Sequence, residues 1–249
     1  LPAFALESYV LYDNFLTTPL DGNRWSSIER TRAIEGGALR LVQRDGGSTT
    51  SDAGTQSTSW GDSLNRPGPV TQLRANLRVN AVDATGCAPN PSPTQARARL
   101  LATFFNSGNR VAGSFTGDVL AQINVQRYSN STDAPGVLRV EANVFMCDSS
   151  DCNTGGTSLG GASLGTLDVG VNTLLQIEWD RANKQFLFSR DGRAPVAAPY
   201  TVDDSTTPGN DIKSVGTRTV VASCATAPRA SGSVDARFDN VSVNTSGRP

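Results

Sequence analysis

The chain has 249 residues, of which 37% are hydrophobic and 18% charged, and its formal net charge is −1. The hydrophobic content is sufficient for a buried core, which excludes wholesale disorder. The balanced charge provides no field that would recruit nucleic acid or an anionic membrane, so neither is an expected partner. Histidine is absent, which excludes Ser-His-Asp and Cys-His catalysis and histidine-ligated zinc.

Apolar and polar residues alternate with period two along most of the chain, which is typical of strands with one buried face. The 24 glycines and 13 prolines supply many turn signals, and no stretch longer than about ten residues has helical spacing. The pattern therefore predicts an all-β protein. In chain order, the predicted strands cover residues 9–12, 38–43, 70–82, 97–105, 119–128, 137–147, 173–180, 185–190, 194–198, 218–223 and 234–244.

Turn signals separate these strands, and Asp191-Gly192 marks a tight hairpin. Two further stretches are predicted as exposed loops. One is the segment 59–62, which contains Trp60, and the other is the glycine-rich segment 155–165. No internal repeat or linker-like break is visible, so residues 1–249 are predicted to form a single sandwich domain.

The four cysteines allow three disulfide pairings. Cys147 and Cys152 flank a short polar segment that a local disulfide can close, which leaves Cys87 to pair with Cys224. A zinc site would need all four thiolates, because there is no histidine to complete it. Disulfides are therefore the favoured interpretation, and they indicate an oxidising compartment.

Export is also suggested by the first five residues, which end in the Ala-x-Ala pattern of a signal-peptide cleavage site. The protein is predicted to be secreted, periplasmic or displayed at the cell surface. The longest apolar run, residues 100–105, is far shorter than the ~20 residues that cross a bilayer, so no membrane span is predicted.

Several segments resemble the concanavalin A-like lectin/glucanase jelly rolls. These are Tyr-Asp-Asn-Phe at 12–15 with Leu-Asp-Gly-Asn-Arg-Trp at 20–25, Ile-Glu-Gly-Gly-Ala-Leu-Arg-Leu at 34–41, and the closing segment 236–243. The hairpin over 175–192 is similar to that of laminin G-like members. The resemblance implies two large antiparallel sheets, one of them curved, with any ligand on the concave face and the closing strand paired with the first.

On this fold, the polar faces of strands 70–82, 119–128, 137–147 and 173–180 are expected to lie side by side and line one trough. Amides and charged groups suit sugar hydroxyls, and aromatic rings stack on sugars. The alternative is that these faces simply meet solvent. The predicted glycan contacts are Arg74, Asn76, Arg78, Gln122, Asn124, Gln126, Tyr128, Arg139, Glu141, Asn143, Glu178 and Trp60.

The glucanase branch of this superfamily carries a Glu-x-Asp-x-x-Glu or Glu-x-Asp-x-Glu signature, and the chain has neither. Glu141 and Glu178 could form a catalytic carboxylate pair if their strands were neighbours, since a retaining glycosidase needs two carboxyl groups about 5 Å apart. Ordinary ion pairs with arginine are the alternative. The lyase branch typically uses His with Tyr, and the missing His counts against it.

The resemblance also implies a structural calcium ion, with Asp239, Gly37 and the region of Asp13 at the matching positions. Carboxylate and carbonyl oxygens are the ligands that calcium prefers. The favoured function is a non-catalytic module that binds a polysaccharide or cell-surface glycan. The alternatives are a subunit of an extracellular filament or coat, which would self-associate through strand edges, and a glycan-cleaving hydrolase.

Overall fold

The computed structural model describes residues 11, 28–65, 67–108, 110–153, 156–226 and 228–244. Within these ranges all regular structure is extended, and no helix has the length and hydrophobicity that crossing a membrane requires. The strands are β1 (Ile28–Glu35), β2 (Ala38–Gly46), β3 (Thr55–Ser63), β4 (Gln72–Thr85), β5 (Gln95–Asn106), β6 (Asp118–Tyr128), β7 (Val137–Cys147), β8 (Gly156–Asp168), β9 (Asn172–Asp180), β10 (Gln185–Arg190), β11 (Val196–Pro199), β12 (Lys213–Ala222) and β13 (Ser231–Val243).

The strands form two antiparallel sheets that pack against each other. One sheet has seven strands in the order β1-β2-β13-β4-β9-β10-β11, and the other has six in the order β3-β12-β5-β6-β7-β8. The last two strands of the chain lie inside the sheets, because β13 sits between β2 and β4 and β12 sits between β3 and β5. The predicted all-β sandwich of two antiparallel sheets is thus confirmed.

The period-two alternation places apolar side chains of both sheets between them. Leu73 and Leu77 of β4, Ile123 of β6 and Phe238 of β13 are at most 1% exposed and belong to one core. Burial of each side chain of this size contributes about 1.5–3 kcal/mol. The intervening polar residues point away from the core, so each sheet has an outer face whose chemistry the core does not dictate.

Most predicted strands are confirmed, and those over 137–147 and 185–190 coincide with β7 and β10. The loop predicted over 155–165 is wrong, since β8 occupies most of it as an edge strand paired with β7. Backbone hydrogen bonds hold this strand, so its Gly, Ser and Thr residues need no apolar alternation. The predicted strand 9–12, apart from residue 11, and the motifs at 12–15 and 20–25 lie outside the described residues.

The loop predicted around Trp60 is also wrong, because residues 59–62 belong to β3, which pairs with β12. Strand β1 is an element that the sequence pattern does not predict, and it pairs with β2 in continuous register. Gly36 and Gly37 form the turn between them with φ values of 58° and 82°. Glycine adopts these left-handed conformations without strain.

Both predicted disulfides are confirmed. Cys87 pairs with Cys224, with 6.5 Å between their Cα atoms, and Cys147 pairs with Cys152 at 5.1 Å. The first joins the β4–β5 connection to the segment after β12, and the second closes the start of the β7–β8 connection. A link over 137 residues of sequence restricts the unfolded chain strongly and so stabilises the sandwich.

Candidate functional site

The polar residues predicted to line one trough are divided between two opposite faces. Strands β4 and β9 belong to the seven-stranded sheet, whereas β6 and β7 belong to the six-stranded sheet. The single-trough prediction is therefore wrong, because period two determines which side chains leave the core but not which sheet a strand joins. Arg74, Asn76, Arg78 and Glu178 lie on the seven-stranded outer face, and Gln122, Asn124, Gln126, Tyr128, Arg139, Glu141 and Asn143 lie on the six-stranded outer face.

Three arginines that the sequence analysis did not select meet at the centre of the six-stranded outer face. Arg218 of β12 is directly opposite Arg97 of β5, and Arg99 lies two residues along β5 on the same face. They alternate with Ala96, Ala98 and Leu100, which are buried in the core. We call Arg97, Arg99 and Arg218 the arginine cluster.

The arginine cluster concentrates positive charge without neutralising it. Arg99 is 9% exposed and donates to Ser59 Oγ at 3.1 Å, and Arg218 Nε donates to Ser57 Oγ at 2.8 Å. No carboxylate among the described residues forms an ion pair with any member of the cluster. Burial and the charge of Arg218 lower the pKa of Arg97 to about 10. Burial and its two arginine neighbours lower the pKa of Arg99 well below its ordinary value.

Three carboxamide residues of β6 lie beside the cluster, and we call Gln122, Asn124 and Gln126 the amide floor. Asn124 is directly opposite Arg99, and Gln126 is directly opposite Arg97. Asn124 is 0% exposed, and neither of its side-chain polar atoms has a hydrogen-bond partner in the described chain. Gln126 Oε1 and Arg97 Nε are likewise unpartnered there. Buried polar groups are nearly always hydrogen-bonded, so this concentration of unmatched donors and acceptors marks the face as unusual.

Glu141 and Tyr128 complete the accessible part of this face. Glu141 of β7 lies opposite Asn124 and accepts a hydrogen bond from Gln126 Nε2. Burial and the charge of Glu141 raise the pKa of Tyr128, which keeps its phenol neutral. Both side chains are half-buried. The face therefore offers positive charge over β12 and β5, amides and an aromatic ring over β6, and a carboxylate on β7.

Arg139 belongs to the rim of the face and is electrostatically different from the arginine cluster. Its Nε donates to Asp133 Oδ2 at 2.7 Å in the β6–β7 connection. The hydrogen bond and charge of Asp133 raise the pKa of Arg139, and those of Arg139 in turn lower the pKa of Asp133. This arginine is already paired, so it has less to offer an anion.

Trp60 does not join the other predicted glycan contacts. Its side chain packs against the core between the sheets, and the Arg30 guanidinium lies 5.4 Å from the ring centroid. In β3 the residues that face outward are instead Ser57 and Ser59, which accept from the arginine cluster. Tyr128 is thus the predicted aromatic platform that the six-stranded outer face retains.

The carboxylate pair considered for hydrolysis is not brought together. Glu141 lies on β7 of the six-stranded sheet, and Glu178 lies on β9 of the seven-stranded sheet. Each alternates with core residues of its own strand, so the two side chains leave the sandwich on opposite sides. A hydrolase that uses these two residues as its carboxylate pair therefore lacks the required geometry.

The seven-stranded outer face also contains a row of arginines, but here carboxylates accompany them. Arg40 Nη2 lies 2.7 Å from Asp235 Oδ2, and Arg40 Nη1 and Arg237 Nη2 lie 3.2 and 3.1 Å from Glu35 Oε2. Partial burial acts to raise the pKa of Asp235, but hydrogen bonds from Arg40 and Asn80 outweigh it and lower that pKa. The network resembles an ordinary surface ion-pair network.

The predicted calcium ligands are only partly covered by the structure. Gly37 lies in the β1–β2 turn, and Phe238 pairs with Leu39, which places Asp239 one residue beyond, near that turn. Both carboxylate oxygens of Asp239 accept hydrogen bonds from Asn240. Asp13 lies outside the described residues, and the described chain contains no cluster of three or more metal-ligating side chains. The calcium ion stays a prediction.

Comparison with known proteins gives structural matches alone. No family model and no curated protein matches the chain. A family 7 alginate lyase, A1-II′, in complex with product has 11% identity and a TM-score of 0.44, with 90% of this chain and 86% of that chain covered. The κ-carrageenase of Pseudoalteromonas carrageenovora, in complex with an oligotetrasaccharide, has 10% identity and a TM-score of 0.39, with 91% of each covered. The Emp46p carbohydrate recognition domain has 11% identity and a TM-score of 0.34, with 86% and 87% covered.

Proposed function

We propose that the chain binds an anionic polysaccharide along the outer face of the six-stranded sheet. The observation that carries this proposal is the arginine cluster, whose three guanidinium groups have no carboxylate partner in the described chain. Like charges directly opposite each other on neighbouring strands destabilise a sheet. A local arrangement that costs stability is expected where it serves a ligand.

The chemistry of the face suits an acidic sugar chain. Guanidinium groups form paired hydrogen bonds to planar carboxylates and to sulfate oxygens. Gln122 and Asn143, which lie opposite each other on β6 and β7, can donate to and accept from sugar hydroxyls. The ring of Tyr128 offers an apolar surface for stacking. A sugar chain that crosses the strands would meet each of these groups in turn.

The cellular compartment that the disulfides indicate is compatible with a polysaccharide ligand. Two disulfides point to an oxidising environment outside the cytoplasm. We place the protein among secreted, periplasmic or surface-displayed proteins, where polysaccharides are accessible. Self-association through strand edges, the mark of a filament or coat subunit, stays a prediction, and sedimentation of the purified chain in the absence of glycan measures it directly.

The test is calorimetric titration with polygalacturonate, which presents carboxylates, dextran sulfate, which presents sulfate esters, and neutral dextran. We expect binding to at least one anionic polymer and none to dextran, with affinity falling as salt is added. Arg97→Ala should weaken binding about tenfold or more, the effect of losing one charge-assisted hydrogen bond. The matched control is Arg139→Ala, which removes the same charge from a residue already paired with Asp133.

Equal losses in the two variants, or tight binding of dextran, would overturn the proposal. The same incubations also test the non-catalytic part of it. We expect no new reducing ends and no shortening of the polymer over hours. Chain shortening that stops in Glu141→Gln would instead favour a glycan-cleaving enzyme centred on this face.

A further inference from the structure

A separate cavity of about 360 Å³ opens on the seven-stranded outer face, and we call it the notch. Strand β4 forms its floor, β9 one wall and the end of β13 the other. Its volume falls within the range of about 300–1,000 Å³ that is usual for small-molecule sites. The notch is lined by Gln72, Arg74, Gln176, Ser242, Val243 and Asn244.

An irregularity in β13 accompanies the notch. Asp239 pairs with Asn76 and Ser242 pairs with Arg74, so two residues of β13 stand opposite Ala75 alone. The first of the two, Asn240, has φ of 50°, a left-handed conformation that is uncommon outside glycine. Bulges of this kind redirect side chains and are frequent beside functional sites.

Part of the lining is held by partners in the described chain, since Gln176 Nε2 donates to Glu178 Oε2 at 3.5 Å and Ser242 Oγ donates to the Asn240 carbonyl at 3.1 Å. Asn244 Oδ1 accepts from the backbone N–H groups of Thr71 and Gln72, and its Nδ2 donates to the Pro69 carbonyl, so this wall is rigid. The side chains of Gln72 and Arg74 make no hydrogen bond or ion pair with any described residue. A guanidinium and an amide are thus available beside a fixed wall.

From this arrangement we infer that the notch is a second sugar site, which takes one acidic sugar unit through its carboxylate. Arg74 supplies the anion contact, Gln72 supplies a donor and an acceptor for the hydroxyl groups, and Gln176 Oε1 and Ser242 Oγ supply further acceptors. The site lies on the opposite side of the sandwich from the arginine cluster. A chain with both sites could therefore bridge two polysaccharide molecules, a consequence that rests on the proposed function as well.

The notch can be tested independently of the six-stranded face with trigalacturonic acid as the calorimetric probe. We expect two molecules bound per wild-type chain and one per Arg74→Ala chain. Arg78→Ala is the matched control, because Arg78 lies on the same strand and the same face but outside the notch. It should retain two. In an Arg97→Ala background, Arg74→Ala should weaken the remaining binding about tenfold or more.

Long polygalacturonate provides a second readout, because bridging makes the solution turbid at intermediate protein ratios. Turbidity should appear with wild type and Arg78→Ala and be lost with Arg74→Ala. A single wild-type binding site that Arg74→Ala leaves intact, or equal behaviour of Arg74→Ala and Arg78→Ala, overturns the notch. If Arg97→Ala has no effect while Arg74→Ala abolishes all binding, the proposed function on the six-stranded face fails and the notch stands.

Discussion

On the seven-stranded sheet, Arg40, Arg237 and Arg78 stand in one row across three neighbouring strands. On the six-stranded sheet, Arg218 and Arg97 stand opposite each other, with Arg99 two residues further along. The two faces thus use the same side chain in the same cross-strand geometry. They differ in the carboxylates, because Glu35 and Asp235 pair with Arg40 and Arg237 of the first row and no described carboxylate pairs with the second.

The electrostatic consequence has opposite sign on the two faces. Hydrogen bonding and charge from Asp235 raise the pKa of Arg40, whereas burial lowers the pKa values of Arg99 and Arg218. An arginine paired with a carboxylate of the chain contributes to the stability of the fold, and its guanidinium group is already bound. An unpaired and partly desolvated arginine costs the fold stability and retains its capacity to bind an anion. Comparing the two faces therefore separates arginines with a structural role from arginines available to a ligand.

The largest effect is expected from giving the arginine cluster a carboxylate partner, which no described residue provides. Ser59 accepts from Arg99 and lies directly opposite Arg218, so Ser59→Asp places a negative charge against two members of the arginine cluster. We expect the affinity for an anionic polymer to fall about a hundredfold while the melting temperature rises. Calorimetric titration and thermal unfolding measure the two effects.

The neutral control for this change is Ser59→Asn, which has nearly the same shape as the aspartate and no charge. It should leave the affinity within about threefold of the wild type. This change is well below the roughly tenfold loss expected when one charge-assisted hydrogen bond is removed. Loss of affinity in both variants would mean that the shape of the β3 edge matters and the charge does not. Retained affinity in Ser59→Asp would remove the arginine cluster from the binding site.

The sequence was sufficient for the fold class because alternation such as that of Leu73, Ala75 and Leu77 is a local property. Sheet membership is not local. Strands β6 and β7 are hairpin neighbours, but β12 joins them through β5 from far along the chain. That long-range pairing assembles the arginine cluster, and nothing in the spacing of single strands reveals it.

Some residues of the site can nonetheless be predicted from the sequence. The amide floor and Glu141 follow from the polar positions of two strands, and the structure keeps them together. Arg97 and Arg99 alternate with alanine and leucine in the same manner, but the apolar run at 100–105 that follows them ends the alternation. Trp60 was misplaced because its neighbours Ser59 and Gly61 are typical of loops, whereas pairing with β12 makes them a strand.

A smaller effect is expected from alkaline pH, and it also distinguishes the two faces. The pKa of Arg97 in the folded chain is about 10, so this guanidinium loses its proton as pH rises through that value. Affinity for dextran sulfate, whose own charge stays constant, should fall about tenfold between pH 8 and 11. The pKa of Arg97 is lower in the folded chain than in the unfolded chain, so its deprotonation stabilises the folded chain. The loss of binding should therefore occur without unfolding caused by Arg97. A flat affinity across that range would contradict a role for Arg97.

The smallest effect is expected from Asp235→Asn on the seven-stranded face. The change removes the carboxylate that pairs with Arg40, and we expect the free energy of unfolding at pH 7 to fall by about 0.5–1 kcal/mol. The pKa of Asp235 is lowered on folding, so its contribution is present above the unfolded value of about 3.9 and is lost as pH falls through the folded value. The difference between variant and wild type in denaturant melts should therefore shrink below about pH 4. Affinity for polygalacturonate at the arginine cluster should be unchanged, and a loss there would show that the two faces are coupled through the core.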